Sequence, residues 1–131
     1  MTVFLDTNVL VRHLTGDPPA SARRATRFLA ETPDLLLADV IVAELVDVLE
    51  SVYEQPRGGV ALTLRALLAL PSVRVVDAAL IYRAIEVYEV DRLDFAEAYL
   101  VASAERSGVG AVASFDRSID RVRTVARIEP R

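Results

Sequence analysis

The chain has 131 residues, of which 53% are hydrophobic and 26% are charged, and its formal net charge is −4 at pH 7. This composition excludes an intrinsically disordered chain, and no apolar stretch approaches the roughly 20 residues that a membrane-spanning helix needs. There is no cysteine, His13 is the only histidine, and all 15 basic residues are arginines, which excludes thiolate sites, histidine pairs and lysine-based catalysis. Carboxylates are therefore the expected catalytic groups.

The length of the chain predicts one domain over residues 1–131. The sequence runs into an apolar strand with no basic segment before it, so we expect no secretory signal and a cytoplasmic protein. The acidic net charge argues mildly against a nucleic-acid partner. Two bound divalent cations would, however, bring the charge of −4 to zero.

The first predicted element is a buried parallel strand at residues 3–5, a short apolar run rich in strand formers. Asp6 follows at its carboxyl end, where ligands bind in open α/β sheets. Thr7 and Asn8 can start a helix predicted over residues 7–14. With no basic residue close by in sequence, Asp6 either binds a divalent cation or only caps this helix.

A break at residues 16–19 precedes a second helix, predicted over residues 20–30. Arg23, Arg24 and Arg27 cluster on this helix opposite an apolar stripe. Such a cluster either holds phosphate groups or forms an ordinary solvated face.

Glu44 stands out on the third predicted helix, residues 40–53, which follows a second strand at residues 35–38. Its neighbours one turn before and after are mainly apolar, so Glu44 borders the stripe that is expected to be buried. An acid in that position needs a partner, which is either an arginine or a metal ion.

Two further acids begin a later helix, predicted over residues 94–106, after a third strand at residues 73–76 and a helix over residues 78–90. Asp94 at the N-cap with Glu97 three residues later has the pattern of a capping box. Glu97 is also followed by apolar residues at helical spacing, which predicts that it leans towards the core.

The pattern of the first strand returns at residues 111–115, a fourth predicted strand that is followed directly by Asp116. Residues 124–128 predict a fifth, edge strand. Because strands alternate with helices, we expect a parallel sheet with right-handed crossovers, in which the carboxyl ends of the strands meet at one edge.

This arrangement predicts an acidic site at that edge, formed by five carboxylates: Asp6, Glu44, Asp94, Glu97 and Asp116. So many carboxylates cannot all stay ionised side by side without compensating charge. Two Mg²⁺ or Mn²⁺ ions about 4 Å apart would neutralise them and support phosphodiester hydrolysis, in which one ion activates water and the other stabilises the leaving oxygen.

Four segments in this order also carry a family resemblance: FLDTNVL, VIVAELVDVL, DFAEAYLVASAE and ASFDRSIDRV. Over essentially its whole length the chain resembles the PIN domain, and specifically the VapC-type toxin ribonucleases of toxin–antitoxin modules. The resemblance implies a three-layer α/β/α sandwich around a central parallel sheet of four or five strands. It further implies Mg²⁺- or Mn²⁺-dependent cleavage of RNA, a homodimer, which the apolar composition also favours, and inhibition by a VapB-type antitoxin.

On this resemblance, the family's first, second and fourth acids correspond to Asp6, Glu44 and Asp116. The third acid is usually an aspartate followed by alanine, whereas this chain has Glu97 there, with Asp94 one turn earlier. We predict that Glu97 points into the acidic site and that Asp94 mainly caps the helix. The residues expected to orient carboxylates or water are Thr7, Asn8 and Ser114.

Two other interpretations remain open. A phosphatase of the haloacid dehalogenase type would use Asp6 as a covalent nucleophile, but that motif has a second acid where this chain has Asn8, and generally needs a lysine. The alternative without catalysis is a PIN-like binding module that has lost metal competence, which the change to Glu97 favours.

Overall fold

Five short β-strands are connected by six α-helices in the computed structural model, which describes residues 1–131. The helices are α1 (Thr7–Thr15), α2 (Pro19–Glu31), α3 (Asp39–Ser51), α4 (Arg57–Leu68), α5 (Ala78–Glu86) and α6 (Phe95–Ser107). The strands are β1 (Val3–Phe4), β2 (Leu35–Leu36), β3 (Val73–Arg74), β4 (Ala111–Ala113) and β5 (Ala126–Ile128). A π-helical turn (Val87–Asp91) continues α5, and a 3₁₀ turn (Arg117–Arg121) follows β4.

All strand pairs are parallel, as predicted. β1, β2 and β3 form one sheet with β2 in the centre, where Leu35 lies opposite both Val3 and Val73. β4 and β5 form a separate pair in which Ala111 lies opposite Ala126. The α/β architecture is confirmed, but the strands are hydrogen-bonded as three plus two, because strands of two or three residues offer few ladder hydrogen bonds.

The hydrophobic core is one cluster of 28 buried residues, to which every helix contributes one apolar face. Leu10 of α1, Leu45 of α3 and Leu64 of α4 are almost completely buried. Burial of each such side chain stabilises the folded state by about 1.5–3 kcal/mol relative to leaving it exposed. None of the helices combines the length and the apolar character that a bilayer crossing requires.

This topology places helix starts next to strand ends. α1 begins three residues after β1 ends and α3 begins three residues after β2 ends, so both start at the same edge of the sheet. α6 packs along α5, and the Arg83 guanidinium (α5) donates to both carboxylate oxygens of Glu105 (α6), at 2.8 and 3.0 Å. The helix pair is therefore tied together away from the start of α6.

Candidate active site

Asp6 and Asp116, the two strand-end acids, have the same local structure. Each is the N-cap of the helical turn that follows its strand: Asp6 Oδ1 accepts from the Thr7 N–H at 2.7 Å, and Asp116 Oδ1 accepts from the Ser118 N–H at 2.9 Å. Both side chains are exposed, and Asp6 Oδ2 has no protein partner. Asp6 therefore caps α1 and keeps one oxygen free, and its role as a metal ligand stays a prediction.

Asp116 lies in the more positive environment of the two. Ser118, through its hydroxyl and its backbone N–H, holds the pKa of the Asp116 carboxyl below its usual value, and the charges of Arg121 and Arg127 lower it further. Ser114 Oγ accepts from the Asp116 N–H at 2.9 Å, so Ser114 fixes the backbone that carries this acid. The contact is to the backbone and not to a carboxylate, so the role expected of Ser114 in orienting carboxylates or water stays a prediction.

Glu44 is exposed and forms no ion pair or hydrogen bond, so the alternative that an arginine is its partner is wrong. The reason is the rotation of α3, which buries Val42, Leu45, Val46 and Leu49 and leaves Val40, one turn before Glu44, 71% exposed. Glu44 therefore presents a solvated carboxylate that no arginine neutralises.

The predicted capping box at the start of α6 does not form. Asp94 is the N-cap residue, but its side chain makes no capping hydrogen bond, and none joins Glu97 to the Asp94 backbone. Asp94 is exposed, whereas Glu97 is half-buried, as its apolar neighbours suggested. The expectation that Asp94 mainly caps the helix is thus wrong, and both carboxylates have all their oxygens free.

The structure contains no group of three or more acidic or histidine side chains close enough together to hold a metal ion. In kind, the donor set fits a hard divalent cation such as Mg²⁺ or Mn²⁺, because the predicted carboxylates other than Asp116 each keep at least one oxygen without a protein partner. In spacing, the five carboxylates are not assembled around one point. Their assignment as metal ligands stays a prediction, as does a role for Asn8, which is exposed.

Comparison with known protein families identifies the family of this chain. The family model described as PIN domain matches residues 3–125. The chain belongs to the PIN domain family. Among solved structures, it is similar to the crystal structure of VapBC2 from Rickettsia felis bound to a DNA fragment from their promoter, with 12% identity, 98% of each chain covered and a TM-score of 0.38. At that TM-score the family assignment depends on the family model alone, and the comparison with curated proteins found no match.

In this PIN domain, two arginines that the sequence did not single out hold the segment before Asp94. The Arg57 guanidinium (α4) lies 4.5 Å from the centre of the Tyr88 ring and donates to the Tyr88 and Leu93 carbonyls at 2.8 and 2.5 Å. Arg121, from the turn that Asp116 caps, donates to the Asp91 and Arg92 carbonyls at 3.3 and 3.0 Å. We call Arg57 and Arg121 the arginine clamp. It connects the segment before Asp94 to α4 and to the turn that Asp116 begins.

The segment held by the clamp contains one strained residue, and its two ends, Tyr88 and Leu93, are buried. Arg92 has a φ of 61°, in the left-handed region that side chains other than glycine rarely adopt. Tyr88 is completely buried, its hydroxyl donates to Glu50 Oε2 at 2.7 Å, and burial, with Glu50 in addition, raises its pKa. Carbonyl groups that accept from distant arginines leave no periodic pattern in a sequence, so no sequence signal identified this region.

Asp39 is a third acid that follows a strand, and sequence reasoning missed it. It is the first residue of α3, and its Oδ2 accepts from the Tyr99 hydroxyl of α6 at 2.6 Å, which, together with burial, raises the pKa of Tyr99 to about 12. Asp39 Oδ1 and Thr7 Oγ1 are buried without a protein partner. The run Leu-Leu-Leu-Ala-Asp before α3 repeats the strand-then-acid pattern of Asp6 and was the available signal.

Proposed function

We propose that this PIN-domain protein is a metal-dependent RNA endonuclease and the toxin of a type II toxin–antitoxin pair. The observation that carries the proposal is the family match over residues 3–125, combined with carboxylates that keep free oxygens after their structural hydrogen bonds are made. PIN domains are generally nucleases, so phosphodiester hydrolysis is the coarse assignment. RNA as substrate and the toxin role follow from the VapC-type sequence resemblance.

The residues proposed to bind Mg²⁺ or Mn²⁺ are Asp6, Glu44, Asp94, Glu97 and Asp116. When bound, such ions lower the pKa of water and stabilise a leaving oxygen. The chain's own contribution is to hold the acids: helix caps fix Asp6 and Asp116, the clamp fixes the backbone before Asp94, and Ser114 orients Asp116. Thr7 and Asn8 would orient carboxylates or water beside Asp6.

For partners, we propose a homodimer and a VapB-type antitoxin. Several large apolar side chains are exposed, among them Phe4 at 69%, Leu62 at 69% and Phe115 at 71%, which favours association with other chains. An arginine of the antitoxin would reach the free carboxylates and displace metal. Light scattering at micromolar concentration tests the dimer, and a monomer there would exclude it. We also propose that residues 1–131 form one domain, because the core is one cluster.

The test of the nuclease proposal is cleavage of structured RNA by the purified chain with Mn²⁺ and with excess EDTA. We expect cleavage with the metal and none with the chelator. Cleavage that continues in EDTA would refute the metal mechanism.

The binding module without catalysis is a second candidate, because no three acids are assembled for a metal and the third acid is Glu97. Calorimetry with Mn²⁺ alone separates the two candidates. Binding that Asp6→Asn weakens supports the nuclease, and absence of heat at millimolar Mn²⁺ supports the binding module.

A further inference from the structure

The helices α1 and α2 carry a concentration of positive charge in a chain whose net charge is −4. Four arginines belong to them, Arg12 on α1 and Arg23, Arg24 and Arg27 on α2, while Glu31, the last residue of α2, is their only acid. The net charge of this helix pair is therefore opposite in sign to that of the whole protein.

These four arginines have no partners within the chain. None of them forms an ion pair or a hydrogen bond, whereas the arginines that do form ion pairs are Arg65, Arg74, Arg83, Arg106 and Arg127. The three on α2 are exposed. Free guanidinium groups on a fixed helical surface favour an anionic ligand from outside the chain.

Two of these arginines, Arg12 and Arg24, line a groove that also contains an aromatic side chain. The groove lies between α1 and α2, has a volume of about 380 Å³, and is lined by Val9, Arg12, Ser21, Arg24, Ala25 and Phe28. Phe28 is 40% exposed, so part of its ring is accessible to a ligand in the groove. Arg23 and Arg27 line the adjacent surface beside His13, whose Nδ1 lies 2.8 Å from Thr26 Oγ1 and ties the two helices together.

We propose that this groove binds single-stranded RNA, with Arg12 and Arg24 on phosphates and Phe28 stacked on a base. Guanidinium groups beside an exposed aromatic ring are the combination by which proteins hold single strands, whereas an acidic peptide gains nothing specific from the ring face. The inference rests on the proposed function, because RNA is the substrate class proposed there. Arg12 lies six residues after Asp6, or about 9 Å along α1, so the groove lies close to one of the acids proposed to bind metal.

The contribution of the arginine–phosphate contacts and that of base stacking on Phe28 can be separated, because only the first depends on salt concentration. Binding of a short fluorescent single-stranded oligoribonucleotide of mixed sequence is measured by anisotropy in EDTA, where metal-dependent cleavage does not occur. Each phosphate contact contributes about 0.7 to the slope of log affinity against log salt, so Arg12→Gln with Arg24→Gln lowers the slope by about 1.4. Phe28→Leu lowers the affinity roughly fivefold at every salt concentration and leaves the slope unchanged.

The matched control is Arg74→Gln with Arg106→Gln, which removes the same charge from exposed arginines that already have acidic partners. It leaves the slope and affinity close to those of the parent chain. An equal loss in the control, or an unchanged slope in the groove variant, overturns the proposal. Tighter binding of poly-glutamate than of RNA, with the same arginine dependence, also overturns it and assigns the groove to a protein.

Circular dichroism of each variant checks that the fold is kept. The outcome for the groove is independent of the outcome for catalysis. RNA binding that depends on the groove, without cleavage in Mn²⁺, refutes the nuclease proposal and keeps this one. Cleavage in Mn²⁺ together with RNA binding that the groove variants do not change keeps the nuclease proposal and refutes the RNA-binding groove.

Discussion

The four predicted site acids Asp6, Asp116, Asp94 and Glu97 are held in two different ways. Asp6 and Asp116 each cap the helical turn that begins beside them, through a single hydrogen bond to the next backbone N–H or the one after it. Asp94 and Glu97 make no such bond, and the backbone before them is held from a distance by the arginine clamp. The first pair is therefore positioned by local sequence and the second by tertiary contacts.

The two pairs of acids should differ in how strongly substitutions elsewhere in the chain displace them. A strand-end acid keeps its place as long as its strand and helix form, because the capping bond spans one or two residues. The start of α6 keeps its place only if α4 and the turn after Asp116 are both docked. Substitutions far from the acids should therefore disturb Asp94 and Glu97 more than Asp6 and Asp116.

The largest expected effect is that of Asp6→Asn on RNA cleavage. Asparagine caps a helix as well as aspartate does, so the fold and thermal stability should be unchanged, while loss of the carboxylate charge should reduce cleavage by orders of magnitude. Initial rates of cleavage with Mn²⁺ check this. Undiminished cleavage by a folded variant would remove Asp6 from the site.

The next prediction sets Glu97 against Asp94. Glu97 is proposed as the third metal-binding acid and is half-buried, so Glu97→Gln should abolish cleavage with a small change in stability. Asp94→Asn should retain substantial activity, since Asp94 is exposed and one turn earlier. Single-turnover rates of both variants decide the matter, and the reverse order of losses would exchange the two roles.

A smaller effect should follow from breaking the clamp with Arg57→Met. Loss of hydrogen bonds to the Tyr88 and Leu93 carbonyls should lower the free energy of unfolding by about 2–3 kcal/mol. Displacement of the acids on α6 should lower kcat roughly tenfold or more, with little change in KM. Urea unfolding and steady-state kinetics measure the two quantities.

The control for the clamp is Arg65→Met on the same helix. Arg65 pairs with Glu89 at the surface, at 2.7 Å, so its loss should change stability by less than about 1 kcal/mol and leave kcat unaltered. Equal effects of the two substitutions would mean that Arg57 supports the fold without positioning the acids.

A still smaller difference is expected between the unfolding free energies of Asp6→Ala and Asp94→Ala. Asp6→Ala should lower the free energy of unfolding by about 1 kcal/mol, because it removes a side-chain cap. Asp94→Ala should change it by only a few tenths of that, because no cap is present to lose. Thermal unfolding without metal measures both, and a large loss in Asp94→Ala would restore the capping interpretation.

The smallest effect concerns acid stability. The folded-state pKa of Asp116 is lowered, chiefly by Ser118, so its contribution to stability is present above the unfolded carboxyl pKa of about 3.9 and is lost as the pH falls towards the folded value. Asp116→Asn should therefore flatten the fall of the unfolding midpoint below pH ~4. An equally steep fall of the unfolding midpoint below pH ~4 in the parent chain and the variant would contradict this.

The sequence by itself determined the order of elements, the parallel pairing and the two strand-end acids. Those features depend on hydrophobic periodicity and on contacts between neighbouring residues, which a sequence records directly. Asp6 and Asp116 were recognisable because an apolar run closed by an acid is a local pattern. The same pattern at Asp39 was present and was overlooked.

Tertiary structure alone decided the exposure of Glu44, the absence of the capping box and the arginine clamp. The rotation of α3 about its axis depends on what packs against it, and Asp94 with Glu97 satisfies the capping pattern without adopting its geometry. Arg57 reaches Leu93 across 36 positions of sequence to bind a backbone carbonyl. A carbonyl is the same at every residue, so no side-chain pattern in the sequence identifies which one an arginine will bind.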